Sequence, residues 1–200
     1  MTVKQQWTIV AIVVAVMASA LGVGSYVLRD ELRPIAVGSK APDFSAQTLD
    51  VTSVTKTLDN YRGDVVLLNV WATTCLPCRT EMPSIEALYA DYKAKGLKVV
   101  AVSVDNAGME QAIRDFVKEY QLTFDILYDP TGGIQQQYQT TGYPESFVIA
   151  RDGIIHKKWI GEDNWNSQGN RRLIDGLLAV GAESVSRAGA DSAPTREVRR

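Results

Sequence analysis

The chain has 200 residues, with 21 Lys and Arg against 23 Asp and Glu, one His and two Cys. That length suits one globular domain with extensions, and a net charge of -2 leaves no basic face for nucleic acid. Two cysteines exclude a disulfide-stapled scaffold, and Cys75, Cys78 and His156 are too few for a four-ligand zinc site of cysteine and histidine.

No charged residue lies between Lys4 and Arg29, and Trp7–Leu28 is a nearly unbroken apolar run. As a helix its 22 residues would measure about 33 Å, enough to cross a hydrocarbon core. A retained anchor competes with a secretory signal cut after Ala18-Ser19-Ala20, which has the small-x-small form. The run continues past that site through Val23, Val27 and Leu28, so 7–28 is read as a transmembrane signal-anchor behind a short flank, 1–6. Residues 29–36, broken by Pro34, read as a polar stem. The domain is expected at 37–183. The small, polar stretch 184–200 cannot offset its ordering entropy by burial and is expected to be a disordered tail.

Within the domain, the β-branched run Val65–Val70 predicts a buried strand. From Pro77 to Lys95, Met82, Ile85, Leu88, Tyr89 and Tyr92 recur at helical spacing, and Gly96 is a natural stop. Leu97–Val104 predicts a second strand, Met109–Tyr120 a helix with Ile113, Phe116 and Val117 on one face, and Phe124–Tyr128 a third strand. Ser146–Ala150 and Ile154–Ile160 flank Arg151-Asp152-Gly153, a hairpin signal, and Arg171–Val180 predicts a last helix. The pattern is that of an α/β fold, a mixed sheet covered on both faces.

The segment Trp71-Ala72-Thr73-Thr74-Cys75-Leu76-Pro77-Cys78 falls where the first buried strand hands over to the first long helix. There Cys75 meets the unpaired N–H groups and the positive end of the helix dipole, which favour a thiolate, the attacking species in disulfide exchange. Cys78, one turn further in, suits the resolving role. Pro77 is tolerated in the first turn, where its missing N–H has no partner. A structural disulfide closing so short a loop gains only about 2 kcal/mol, haem attachment would need a His where Arg79 stands, and a metal site lacks further ligands. A redox pair is what remains.

The Trp-Ala-x-x-Cys-x-Pro-Cys segment resembles the thioredoxin superfamily, and Val37-Gly38-Ser39-Lys40-Ala41-Pro42-Asp43-Phe44 looks like the opening of its redoxin and TlpA/ResA branch. Gly142-Tyr143-Pro144-Glu145-Ser146-Phe147 resembles the cis-proline loop, in a form close to the CcmG/DsbE cytochrome c maturation proteins. The resemblance implies a thioredoxin-like domain tethered to the bacterial inner membrane by one span, with its catalytic face on the periplasmic side. It also implies a reductant of protein disulfides such as that of apocytochrome c, re-reduced by a membrane electron donor, with no cofactor beyond the cysteines. Cys75, Cys78, Glu81 and Pro144 would carry the catalysis, and Trp71 and Tyr143 would contact substrate.

Two positions depart from that pattern. Asn69 stands where thioredoxin has a buried acid, leaving Glu81 as the nearest proton-handling group; the competing reading of Glu81 is a solvated surface residue. Thr74 stands where a second Trp is usual. Pro83 resembles the kink proline of the active-site helix, and His156 reads as a surface or structural residue. A peroxiredoxin-like peroxidase would need Pro-x-x-x-Thr-x-x-Cys, where this chain has Leu68 and Ala72. A copper chaperone of the Sco type spaces its cysteines by three residues and adds a dedicated His, against two residues here.

Overall fold

A computed structural model describes residues 2–27, 34–49 and 52–191, the side chains of 26, 27 and 181–191 aside. The chain divides into two units, Met1–Pro34 and Ile35–Arg200. In the first, α1 spans Val3–Val27, and its stretch Val3–Ser25 is long and apolar enough to cross a membrane. Its apolar side chains, Ile12 and Val16 among them, are exposed. Most of the expected stem lies outside the described residues. Its last two residues belong to the second unit instead, because Ile35 is apolar and packs against the core there. The Ile35 N–H donates to Gln139 Oε1 at 3.2 Å, and Lys158 Nζ donates to the Ile35 carbonyl at 3.3 Å.

The second unit runs β1 (Ser45–Thr48), β2 (Thr55–Thr57), β3 (Val65–Trp71), α2 (Leu76–Tyr92), β4 (Leu97–Ser103), α3 (Glu110–Glu119), β5 (Asp125–Tyr128), α4 (Gly133–Tyr138), β6 (Glu145–Ile149), β7 (Ile155–Ile160) and α5 (Gln168–Asp191). The strands form one sheet in the order β2-β1-β5-β4-β3-β6-β7. β3, β4 and β5 are parallel, while β6, β7 and β1 join antiparallel to β3, β6 and β5.

β3 lies near the middle of the sheet and is buried throughout, which is why its sequence is a run of large apolar residues rather than an alternation. Side chains still alternate between faces. Val65, Leu67 and Trp71 pack with Met82, Ile85 and Leu88 of α2, Phe116 of α3 and Ile174 of α5. Val66, Leu68 and Val70 pack with Phe147 of β6 and Tyr138 of α4 on the other face. This period places Asn69, the one polar residue in β3, on the α2 side.

A 3₁₀ turn, Lys93–Lys95, follows α2 and ends at Gly96, whose φ of +101° is the left-handed stop expected there. The hairpin forms around Gly153 at φ +81°, with the Ala150 N–H donating to the Ile154 carbonyl at 2.9 Å. The last helix departs from expectation at both ends. It starts at Gln168 and continues past residue 183 to Asp191, a stretch that carries Ala188 and Ala190 and meets no proline before Pro194. The tail expected from Ser184 is therefore helical as far as Asp191, and 192–200 lie outside the described residues.

Candidate active site

β3 ends at Trp71, and the chain crosses Ala72–Thr74 to deliver Cys75 as the N-cap of α2. Cys75 and Cys78 are joined as a disulfide, with Cα atoms 5.3 Å apart. The Cys78 N–H donates to Cys75 Sγ at 3.1 Å, so a free amide of the first helical turn already points at the outer sulfur. Cys75 is half-buried, whereas Cys78 has no exposed surface. An incoming thiol or disulfide therefore reaches Cys75 first.

Glu81 lies one helical turn beyond Cys78 and is only 2% exposed, which overturns its reading as a solvated surface residue. Asn69 Nδ2 donates to its Oε1 at 2.7 Å. Trp165 Nε1 and the Asp163 N–H donate to Oε2 at 3.2 and 3.3 Å. Asn69 Nδ2 also donates to Ser146 Oγ at 2.8 Å, linking β3, α2 and β6. Burial pushes the Glu81 carboxyl up to about 7, against these hydrogen bonds, which pull it down. A carboxyl poised there exchanges a proton near neutrality, one turn from the inner sulfur.

The Tyr143–Pro144 peptide is cis, in the loop leading into β6. β6 pairs with β3 so that Glu145 opposes Val70, which brings the loop to the sheet end from which Cys75 emerges. Tyr143 is 37% exposed and Leu76, between the cysteines, 73% exposed; both are apolar groups open to a partner. Glu145 is buried, paired with Lys158 Nζ at 3.1 Å, and its Oε2 accepts from the Thr141 N–H at 2.9 Å.

Trp71 does not meet the expectation that it contacts substrate. It has no exposed surface, and its ring centroid lies 4.5 Å from that of Phe116, because the last residue of a central strand points into the α2–α3 core. It is a packing residue under the redox turn. Thr74 is exposed, and His156 lies exposed on β7. Among the described residues no three His, Cys, Asp or Glu side chains cluster as a metal site.

Sequence reasoning missed Trp165 and Asp163, which reach Glu81 from the segment after β7, more than eighty positions along the chain. It also missed Asp105 and Thr73, joined by three hydrogen bonds beside the cysteines. The one local signal for the latter is the Ser103-x-Asp105 spacing that runs just past the end of β4.

The AhpC/TSA family model matches residues 37–158. The thiol-disulfide oxidoreductase ResA of Oceanobacillus iheyensis is 38% identical over 132 residues, 65% of this chain and 68% of that protein. The thioredoxin-like protein YneN of Bacillus subtilis is 41% identical over 128 residues, 64% and 73% of the two chains. Among solved structures, a Chlorobium tepidum protein assigned as the thiol:disulfide interchange protein DsbE matches with a TM-score of 0.61 at 31% identity. That match covers 74% of this chain and 98% of that one. With a disulfide-bonded cysteine pair at the N-terminus of α2 beside a thioredoxin-like sheet, the chain belongs to the AhpC/TSA family, among its thiol–disulfide oxidoreductases of ResA and DsbE type.

Proposed function

We propose that this protein is a membrane-tethered, extracytoplasmic reductant of protein disulfides, acting in cytochrome c maturation on the disulfide of apocytochrome c. α1 would be the single inner-membrane span, holding the domain from residue 37 onward on the periplasmic side. The span's length and its apolar composition, with Lys4 in its first turn as its one charged residue, support the tether. The likeness to ResA and DsbE proteins supports the substrate.

In the reducing half-reaction, the Cys75 thiolate attacks one sulfur of the substrate disulfide, forming a mixed disulfide and releasing the other sulfur as a thiolate that takes up a proton. Cys78 then loses its proton to Glu81 and attacks Cys75, expelling the second substrate sulfur as a thiolate, which takes up a proton as Glu81 gives up its own. Two electrons pass to the substrate, and Cys75–Cys78 is left as the disulfide. A dithiol donor in the membrane returns the electrons by the same exchange in reverse. Leu76 and Tyr143 offer apolar surface to the substrate chain beside Cys75.

The observation that carries this reading is the enclosed Glu81, held near neutrality one turn from the resolving cysteine. The Leu76-Pro77 dipeptide adds no cation or side-chain donor to stabilise a thiolate, which favours a reducing couple. The test is the reduction potential of the full chain in glutathione and dithiothreitol buffers. A value near the thioredoxin end, about -270 mV, supports the reductant; one near the DsbA end, about -120 mV, overturns it and makes the protein an oxidant.

A further inference from the structure

A second acid is buried beside the redox pair. Asp105, two residues beyond β4, is 6% exposed. Its oxygens accept the Thr73 N–H at 3.2 and 2.9 Å, the Thr73 hydroxyl at 2.7 Å on Oδ1, and the Ser103 hydroxyl at 2.8 Å on Oδ2. Ser103 Oγ accepts from the Asp105 N–H at 3.2 Å, which leaves its own hydrogen for the side chain. Three donor groups converge on its two oxygens, an arrangement suited to a carboxylate. Among the described residues no Lys or Arg pairs with it, an unusual state for a buried aspartate.

Thr73 is the second residue before Cys75. Besides its three hydrogen bonds to Asp105, its carbonyl accepts from Arg79 Nε at 3.3 Å. Arg79 in turn stands 5.4 Å from the Phe116 ring and 3.8 Å from Glu119. The turn that delivers Cys75 is thus fastened to the end of β4 by a charge. The other acids nearby differ. Glu81 of α2 serves the Cys78 side, and Asp115 and Glu119 of α3 are exposed.

We propose that Asp105 is a positioning residue of the redox centre, whose fixed negative charge, bonded to Thr73, biases the Cys75–Cys78 couple toward the disulfide by disfavouring the Cys75 thiolate. A like charge behind a half-buried thiol opposes its ionisation. A couple becomes more oxidising as its reduced thiolate is stabilised, so opposing that thiolate keeps the protein a reductant despite the helix N-terminus at Cys75. The inference rests on the thiol–disulfide oxidoreductase reading and assigns a source for its direction.

The test uses the full-length protein in detergent, equilibrated with glutathione buffers, with the Cys75 pKa read from the pH dependence of alkylation after reduction. Asp105→Asn keeps the shape and removes the charge. Its glutathione equilibrium constant is expected to move about tenfold toward the dithiol, equivalent to about 30 mV, with the Cys75 pKa falling. Thr73→Val removes a hydroxyl that partly neutralises the carboxylate, so its constant moves the other way, about twofold toward the disulfide. A merely structural role lowers Tm in both variants while leaving the constants still, or moves both constants in one direction; either result overturns the proposal. If Asp105→Asn does not fold, the sign for Thr73→Val decides alone, and no shift or a shift toward the dithiol overturns it. If the unmodified protein does not exchange with glutathione, the oxidoreductase reading itself falls, a result distinct from an unmoved Asp105→Asn.

Discussion

Asn69 of β3 and Glu81 of α2 meet at 2.7 Å, so the strand residue six positions before the outer cysteine grips the carboxyl three positions after the inner one. In thioredoxin-like terms the acid has changed places. The strand supplies a neutral amide and the helix supplies the titrating group, and both lie beneath the same disulfide.

That burial carries a pH-dependent cost. Glu81 titrates at about 7 in the folded protein, against the ordinary 4.5. Below about pH 4.5 it is protonated whether folded or unfolded, and its burial is unopposed. Between about 4.5 and 7 the unfolded chain ionises first, so stability falls as pH rises, by about 3 kcal/mol in all, and levels off above 7. Glu81→Gln has no such loss. Urea denaturation of the oxidised protein at pH 4.5 and 8 should show the wild type losing about 3 kcal/mol relative to Glu81→Gln; equal losses in the two would refute the assignment.

Trp165 Nε1 is one of the donors that hold the Glu81 carboxylate down. Trp165→Phe keeps the ring and removes the donor, so the Glu81 carboxyl should titrate above its present value of about 7. The carboxyl carbon shift of labelled Glu81, followed by NMR across pH, reads this directly. A downward or null shift excludes the indole from the site.

Separating the two sulfurs separates the two steps. Cys78→Ser should accumulate a mixed disulfide on Cys75 with an oxidised protein substrate, because resolution has lost its attacker, whereas Cys75→Ser should form none. In the intact pair, Glu81→Gln should slow resolution by about a hundredfold at pH 7 while leaving the first attack nearly unchanged. Rapid quench with alkylation of free thiols measures both steps. Equal slowing of the two would count against Glu81 as the proton acceptor for Cys78.

Gly96 adopts φ +101°, and an added Cβ would stand 3.1 Å from Arg151 Nη2. The arginine tip can move, so the backbone decides the outcome. Gly96→Ala should cost about 1–2 kcal/mol, seen as a lower Tm with unchanged redox potential. A neutral result would show that the turn between α2 and β4 relaxes freely.

The parts of the fold legible in the sequence are those whose apolar pattern has a clear period. β3 shows as the run Val65–Val70 and α2 as Met82, Ile85 and Leu88, and both Gly96 and the Asp152-Gly153 turn mark ends where a left-handed residue is needed. β1 and β2 were not legible, since Ser-Ala-Gln-Thr and Thr-Lys-Thr carry little apolar signal and are held as strands by backbone pairing. α4 is a single short helix rich in glutamine, with only Ile134 and Tyr138 buried among its residues. At the site, the cysteines stand out by local spacing, and Pro144 only through the resemblance of its loop, residues 142–147, to a known family. The enclosure of Glu81 and the anchoring of Thr73 depend on residues far apart in the chain, and no window of sequence contains them together.

The setting of Glu81 draws on Asn69 from the central strand, the helix that bears it, and the Asp163–Trp165 segment that closes over it. Grafting Trp71–Cys78 onto another scaffold would therefore transplant the sulfurs but leave the tuned acid behind. A minimal peptide copy could exchange disulfides only at the pace of an ordinary vicinal dithiol. The reactivity is a property of the assembled sheet, and the eight-residue signature merely marks where on that sheet it surfaces.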